Sequence, residues 1–302
     1  MLAIIAPGQG SQTPGMLNTW IENLELKALI ENWSQAIDLD LLHLGTTADA
    51  EEIKDTANAQ PLIVATSLLG AHALGLTNFA VTSGHSVGEL AAAALSGAIS
   101  SSDALSLVRS RGVEMAKAAA VTPAGMSAVL GGDRNEVLAA IAALNLVAAN
   151  DNGAGQIVAA GDLTTLAQLS DNPPASARVR ALAVAGAFHT SYMQPAVEPL
   201  RAQAATIATH PVQINVISNK DGEVVSDGAE VLTRIVNQIA NPVRWDLCME
   251  TLKSLGVTGV IELPPAGTLV GLLKRAASEI ESFALKSADD LPAAREFAER
   301  HL

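Results

Sequence analysis

A chain of 302 residues, 49% of them hydrophobic, carries enough apolar mass for a large core and has no charge-rich, aromatic-poor tract that reads as disorder. Its formal net charge of -13 argues against nucleic acid as a ligand, because phosphate binding needs clustered Lys and Arg. The single cysteine, Cys248, can close no internal disulfide and reads as packing; with no secretory leader pattern and no apolar stretch of membrane-spanning length, a soluble cytoplasmic protein with no membrane association, metal or cofactor is expected.

In chain order, 2-LAIIA-6 reads as a buried strand, 60-QPLIVATSLLGAHAL-74 as an apolar helix, 79-FAVTS-83 as a second buried strand, and 89-ELAAAALSGA-98 and 103-DALSLVRSRGVEMAKA-118 as helices. Apolar strands alternating with helices imply a parallel sheet covered on both faces. From Gly125 the texture changes. The segments 126-MSAVLGG-132, 134-RNEVLAAIAALN-145, 146-LVAAN-150, 155-GQIVAAG-161, 162-DLTTLAQLS-170 and 178-RVRALAVAG-186 spell strand, helix, strand, strand, helix, strand, a split βαβ. The expected architecture is therefore α/β: an α/β-hydrolase-like parallel-sheet core over 1-124 and 185-302, with a ferredoxin-like subdomain inserted at 125-184. The remainder continues with an apolar strand 181-ALAVAGAF-188, a helix after 190-TSYMQPAVEPL-200, a strand 212-VQINVIS-218, a helix 245-WDLCMETLKSLG-256, a strand 257-VTGVIEL-263 and a helix 268-TLVGLLKRAASEI-280.

Chemistry concentrates at 82-TSGHSVGEL-90, where Ser86 stands between two glycines at the hinge of a strand and a helix. That strand-turn-helix context exposes a serine Oγ over a helix N-terminus, where the Val87 N–H and the helix dipole can stabilise an oxyanion. The alternative is a helix N-cap. A seryl nucleophile needs a base. Of the six histidines, His85 adjoins Ser86 and points away from it, His43 and His72 lie in helix-like runs, His210 precedes a proline and His301 is next to the terminus. His189 closes an apolar strand, where open parallel sheets place their sites. No third acid stands out, although Asp151 and Asp162 lie between serine and histidine in hydrolase order. On 103-118, Arg111 flanks the apolar stripe Leu105, Val108, Gly112 and Met115, and a guanidinium near a buried face needs an anion: an internal carboxylate, or one carried by a substrate.

Six ordered motifs, 6-APGQGSQ-12, 84-GHSVGEL-90, 111-RGVEM-115, 186-GAFH-189, 241-NPVRW-245 and 262-ELPPAG-267, resemble those of the malonyl-CoA:acyl carrier protein transacylases across nearly the whole chain. The resemblance implies a ping-pong transfer for fatty acid biosynthesis, in which Ser86 takes malonyl from malonyl-CoA and yields it to the phosphopantetheine thiol of acyl carrier protein. It implies His189 as the base, oriented by a backbone carbonyl near Arg244. It further implies an oxyanion hole from the Gln9 and Val87 amides, with Arg111 on the malonyl carboxylate, Gln60 near the malonyl pocket, and Phe188 opposing an α-methyl branch. The run Leu263-Pro264-Pro265 departs from the family pattern, as does 150-NDNGAGQ-156, which is expected to touch only the subdomain rim. A carrier protein of acidic character would dock on a local basic patch, with Lys274 and Arg275 as candidates and Lys117 or Arg180 across the cleft. A serine esterase or thioesterase, an idle docking module, and a malonyltransferase of a polyketide or malonate decarboxylase system share these motifs in whole or part.

Overall fold

Every residue of 2-LAIIA-6 is buried, which a strand achieves only when both faces of its sheet are covered. The computed structural model, which describes residues 1–302, does this with eleven strands and twelve α-helices. The strands are β1 (Leu2–Ala6), β2 (Val81–Gly84), β3 (Ala124–Gly131), β4 (Val147–Asp151), β5 (Gln156–Asp162), β6 (Ala177–Ala181), β7 (Asn215–Ile217), β8 (Val224–Val225), β9 (Val243–Arg244), β10 (Gly259–Glu262) and β11 (Glu281–Ala284). The helices are α1 (Leu24–Ala36), α2 (Leu41–Thr46), α3 (Thr56–Leu74), α4 (Gly88–Leu95), α5 (Ser101–Val121), α6 (Arg134–Ala143), α7 (Leu163–Asp171), α8 (Gln194–Ala204), α9 (Gly228–Gln238), α10 (Trp245–Ser254), α11 (Thr268–Ala276) and α12 (Leu291–Glu299). No helix is long and apolar enough to cross a membrane.

The larger sheet runs β11-β10-β1-β2-β7-β8. Its first five strands are parallel, and β8 returns antiparallel to β7, so the expectation of a purely parallel sheet fails at that edge. Strand alternation divides the core. Leu2, Ile4, Ala6, Val216 and Ile261 face the helix layer of α3, α4 and α5, while Ala3, Ile5, Val81, Ile217 and Val260 pack against α10 and α11. The smaller sheet runs β6-β3-β5-β4-β9, with β3, β4, β5 and β6 antiparallel and β9 added parallel to β4. Its far face holds Val129, Ile157 and Ala159 against Val137 and Ile141 of α6 and Leu166 and Leu169 of α7. Met126, Ala149, Val158 and Ala160 on the near face join the main core.

Helices α3 and α5 bring two buried polar side chains together. Helix α3 begins at Thr56, capped by Asp55, whose carboxylate accepts from Ala57 N at 2.7 Å, and thus starts earlier than Gln60. Pro61 sits inside it and has no N–H for the Ala57 carbonyl; Arg109 of α5 fills that place at 3.0 Å. The two helices press together at Gly112, where a Cβ would lie 2.9 Å from the Thr56 carbonyl oxygen and 3.1 Å from Ala57 Cα. The contact sets Gln60 beside Arg111.

The 181-188 segment is not a strand. Strand β6 ends at Ala181, and after a last bond from Leu182 N to Met126 O the chain leaves the sheet. Gly186 rests against α5, where a Cβ would come within 2.7 Å of Ala119 Cβ, and Ala187 and Phe188 are buried in the main core. Leu182, Ala183 and Ala185 are exposed, only the end of the segment is buried against the helices, and His189 stands on a loop.

Candidate active site

Three neighbouring strands end at one place. Strand β1 leads into the loop carrying Gln9, β2 into Ser86 and β7 into Asn219, all at the carboxyl edge of the larger sheet. The turn after β2 is tight enough to exclude side chains on both flanks of the serine. A Cβ on Gly84 would strike the Gly88 backbone, and one on Gly88 would strike the Ala6 carbonyl and lie 2.7 Å from that of Pro7. Ser86 itself has φ 52°, a left-handed conformation that a non-glycine residue holds only when its surroundings fix it. What fixes it is Asn219, whose Oδ1 accepts from Ser86 N at 2.8 Å and whose Nδ2 donates to Gly84 O at 2.8 Å.

The Ser86 Oγ–H faces His189 Nε2 at 2.7 Å. On the other side of the ring, His189 Nδ1 lies 2.8 Å from the Gln238 carbonyl oxygen. A carbonyl only accepts, so Nδ1 carries the proton and Nε2 is the free base. Burial, and then the nearby Arg111 charge, lower the His189 pKa to about 3, against the Gln238 carbonyl, which raises it. The imidazole is therefore neutral at any ordinary pH.

The orienting carbonyl is that of Gln238 and not that of Arg244, with the Asn241 backbone of the 241-245 motif also acting on the ring. Arg244 lies on β9, its N–H bonded to Asn219 O at 2.8 Å and its guanidinium to Asp246 at 2.7 and 2.8 Å. Gln238 is the last residue of α9, and a helix C-terminus leaves carbonyls without intrahelical donors to serve. Asp151 and Asp162 take no part: Asp151 pairs with Arg134 at 2.7 Å and Asp162 caps α7.

Arg111 is 1% exposed and engages in no ion pair. Its Nη1 donates to Gln60 Oε1 at 2.6 Å, its Nη2 to Gln238 Oε1 at 2.9 Å and to Ser86 Oγ at 3.4 Å, and its buried Nε has no acceptor. Burial pulls its pKa down to about 10, still leaving it charged at neutral pH. Gln60 also touches Gln9 Oε1 at 3.4 Å and Met115 Sδ at 3.5 Å. The backbone amides of Gln9 and Val87 donate to no acceptor within the protein. Phe188 is buried in the core next to His189.

Glu89, Asn219 and Gln238 escape sequence reasoning, yet they frame the site. Glu89 is 2% exposed; its Oε1 accepts from Asn219 N and its Oε2 from Gln238 Nε2, both at 2.6 Å. Burial raises its carboxyl pKa, opposed by the Asn219 N–H and the charges of Arg111 and Arg234. Glu89 stands in plain view inside the serine motif, but no local pattern links it to a residue 130 positions away. The 150-156 segment also reaches further in than its rim: Asn152 Oδ1 lies 2.8 Å from His85 Nε2, and His85 turns away from Ser86 to meet Asn152 and the edge of Trp245. The Leu263-Pro264-Pro265 loop, with a cis bond between its prolines, packs on α3, where Ser67 Oγ donates to Pro264 O at 2.7 Å.

The acyl transferase domain family matches residues 4–295 of the chain. The malonyl CoA-acyl carrier protein transacylase of Mycobacterium tuberculosis (strain ATCC 25618 / H37Rv) is 52% identical over 296 residues, 96% of this chain and 98% of that protein. The crystal structure of MCAT from Mycobacterium tuberculosis superposes with a TM-score of 0.95 over 98% of this chain and 99% of its own, at 52% identity. A malonyl-transacylase solved in complex with a type II PKS acyl-carrier protein superposes at 0.92 over 98% and 99%, at 28% identity. By the extent of the domain match and the identity to these relatives, the chain belongs to the acyl transferase domain family, among the malonyl CoA-acyl carrier protein transacylases.

Proposed function

We propose that the chain moves a malonyl group from malonyl-CoA to the phosphopantetheine thiol of acyl carrier protein, through a malonyl ester on Ser86, in the fatty acid biosynthesis of the cytoplasm. The observation that carries the reading is a serine–histidine pair at 2.7 Å with a buried guanidinium at 3.4 Å from the same Oγ, charged and without a carboxylate of its own. In this reading His189 Nε2 takes the Ser86 proton as Oγ attacks the thioester carbonyl carbon. The oxyanion forms against the Gln9 and Val87 amides, and collapse breaks the C–S bond, with His189 returning its proton to the departing CoA thiolate. Attack by the carrier thiol on the ester repeats the steps in reverse and frees Ser86. Arg111, set by Gln60, holds the malonyl carboxylate and with it the pose of the ester, which favours a positioned thiol over water. Phe188, next to the base, opposes an α-methyl branch on the acyl group.

The architecture is read in the same terms. The β6-β3-β5-β4 order, with α6 and α7 on one face, supports a ferredoxin-like subdomain over about 125-184. The larger sheet with its serine elbow supports an α/β-hydrolase-like catalytic domain over 1-124 and 185-302.

Intact mass after mixing with malonyl-CoA or acetyl-CoA tests the reading. Wild type gains one malonyl group and Ser86→Ala gains none. Arg111→Ala loses roughly 10²- to 10⁴-fold in kcat/KM for malonyl-CoA, the equivalent of about 3 to 5 kcal/mol for one member of a buried charge pair, and loses nothing with acetyl-CoA. Equal losses with both substrates would make Arg111 structural and remove the malonyl assignment.

A further inference from the structure

A buried arginine that receives a substrate carboxylate faces two opposed requirements. Its charge needs compensation while the site is unliganded, yet a carboxylate in direct contact would occupy the very N–H groups the substrate needs. The structure meets both through one side-chain amide. Gln238 Oε1 accepts from Arg111 Nη2 at 2.9 Å, while its Nε2 donates to Glu89 Oε2 at 2.6 Å. The orientation of that amide is not a free choice, because a guanidinium can only donate and so requires the oxygen on its side. The second Nε2 hydrogen is shared between Asn219 Oδ1 at 3.1 Å and Ser86 O at 3.2 Å. Glu89 completes the frame through Oε1, which accepts from Asn219 N, the residue that holds Ser86 N. Burial raises the Glu89 pKa to about 8, but both of its oxygens face N–H donors, a pattern that a carboxylate fills and a protonated acid, with one oxygen turned donor, does not, and this geometry assigns the ionised form.

We propose that Glu89 is the positioning residue of this site and that Gln238 bridges it to Arg111 as an amide-relayed ion pair, compensating the guanidinium while leaving Nε and part of its fork open for the substrate carboxylate. Glu89 touches no reacting atom. It acts on Ser86 through Asn219, on Arg111 through the Gln238 side chain, and on His189 through the Gln238 residue whose carbonyl holds Nδ1. The part concerning the substrate carboxylate rests on the malonyl reading of Arg111; the framing of Ser86 and His189 does not.

A charge swap separates the two. Glu89→Gln places an NH2 opposite the Gln238 NH2 or forces Gln238 to turn its own NH2 toward Arg111, so one donor pair must clash. Reaction of Ser86 with a small uncharged fluorophosphonate, which reads the serine–histidine frame without any carboxylate, should slow roughly 10- to 100-fold, the usual effect of removing an orienting partner. The double variant Glu89→Gln with Gln238→Glu restores a donor facing an acceptor across the 89–238 contact, but it turns a carboxylate oxygen toward Asn219 Oδ1 and Ser86 O, so it should recover only part of that loss. In it, however, the new carboxylate meets Arg111 directly, so KM for malonyl-CoA should rise roughly 10- to 100-fold, the loss of one charge-assisted contact, while acetyl-CoA is unaffected by the occupied fork. A fluorophosphonate rate in Glu89→Gln within two-fold of wild type would overturn the positioning role. A double variant with wild-type KM for malonyl-CoA would overturn the amide relay. Equal use of malonyl-CoA and acetyl-CoA by wild type would instead count against the malonyl reading, with the fluorophosphonate rates still deciding the frame.

Discussion

At the scale of single residues, His189, the proposed base, is the group whose state can be checked most directly. His189 is buried, and burial with the Arg111 charge lowers its pKa to about 3 from an ordinary 6.5. A depressed histidine leaves stability untouched above pH 6.5, where it is neutral folded or unfolded. Below that, the unfolded chain takes a proton that the folded chain refuses, and the loss grows until pH reaches the folded value. At 1.36 kcal/mol per pH unit, the penalty from this group by pH 5 is about 2 kcal/mol. Urea midpoints of wild type and His189→Ala should therefore converge or cross as pH falls from 7 to 5. Parallel curves would mean that His189 protonates normally in the folded protein. For catalysis the same depression implies that acylation keeps its rate as pH falls through 6.5, and that a substrate carboxylate on Arg111 strengthens the base by neutralising one cause of its weakness.

Secondary-structure elements show where local sequence carries the fold and where it does not. The strands β1, β2 and β10 and the serine turn are legible because a strand covered on both faces is a continuous apolar run and because the turn itself demands Gly84 and Gly88. Helix α9 is equally periodic, with Val231, Leu232, Ile235 and Val236 buried and Asp227 capping it, yet no motif marks it as part of a site, and the role of the Gln238 carbonyl stays hidden with it. The 181-188 segment misleads for the opposite reason: beyond β6 its apolar residues pair with no strand, Leu182, Ala183 and Ala185 being exposed and Ala187 and Phe188 entering the main core. Glu89, Asn219 and Gln238 cannot be read at all, since a buried polar residue looks like a surface one until the fold brings its partners. The α3–α5 contact is an element-scale device of this kind, and Gly112→Ala tests it. Alanine improves helix propensity by about 1 kcal/mol, but its Cβ would press on backbone atoms of α3 that cannot rotate away, and overpacking costs about 1 to 3 kcal/mol. The expected outcome is a net loss of up to about 2 kcal/mol in urea unfolding with a reduced preference for malonyl-CoA over acetyl-CoA, as Gln60 shifts from Arg111. A variant of unchanged stability and preference would show that the helices tolerate the separation.

For the whole molecule, the question is how a chain at -13 meets a carrier protein of the acidic character that the family resemblance implies. Encounter between like-charged partners depends on local complementarity near the site. Lys274 and Arg275, the candidates read from sequence, sit in the last turn of α11. In a parallel sheet the helix after a strand starts at the carboxyl edge and runs back, so the end of α11 lies toward the opposite edge from Ser86. Lys117 is taken up by Glu114 at 2.7 Å. Lys220 and Arg180 are exposed and in no ion pair. Lys220 directly follows Asn219 and lines a cavity of about 580 Å³ together with Gln238, and Arg180 lies on β6, the strand that feeds the His189 loop. Reversing Lys220 and Arg180 to Glu should raise KM for acyl carrier protein roughly 3- to 10-fold per position in transfer from the malonylated protein, with the effect shrinking as salt increases. Reversing Lys274 and Arg275 should leave that KM unchanged. The opposite ranking, measured at one low ionic strength, would move the carrier protein to the far side of the sheet, beyond what the position of Ser86 at the carboxyl edge allows.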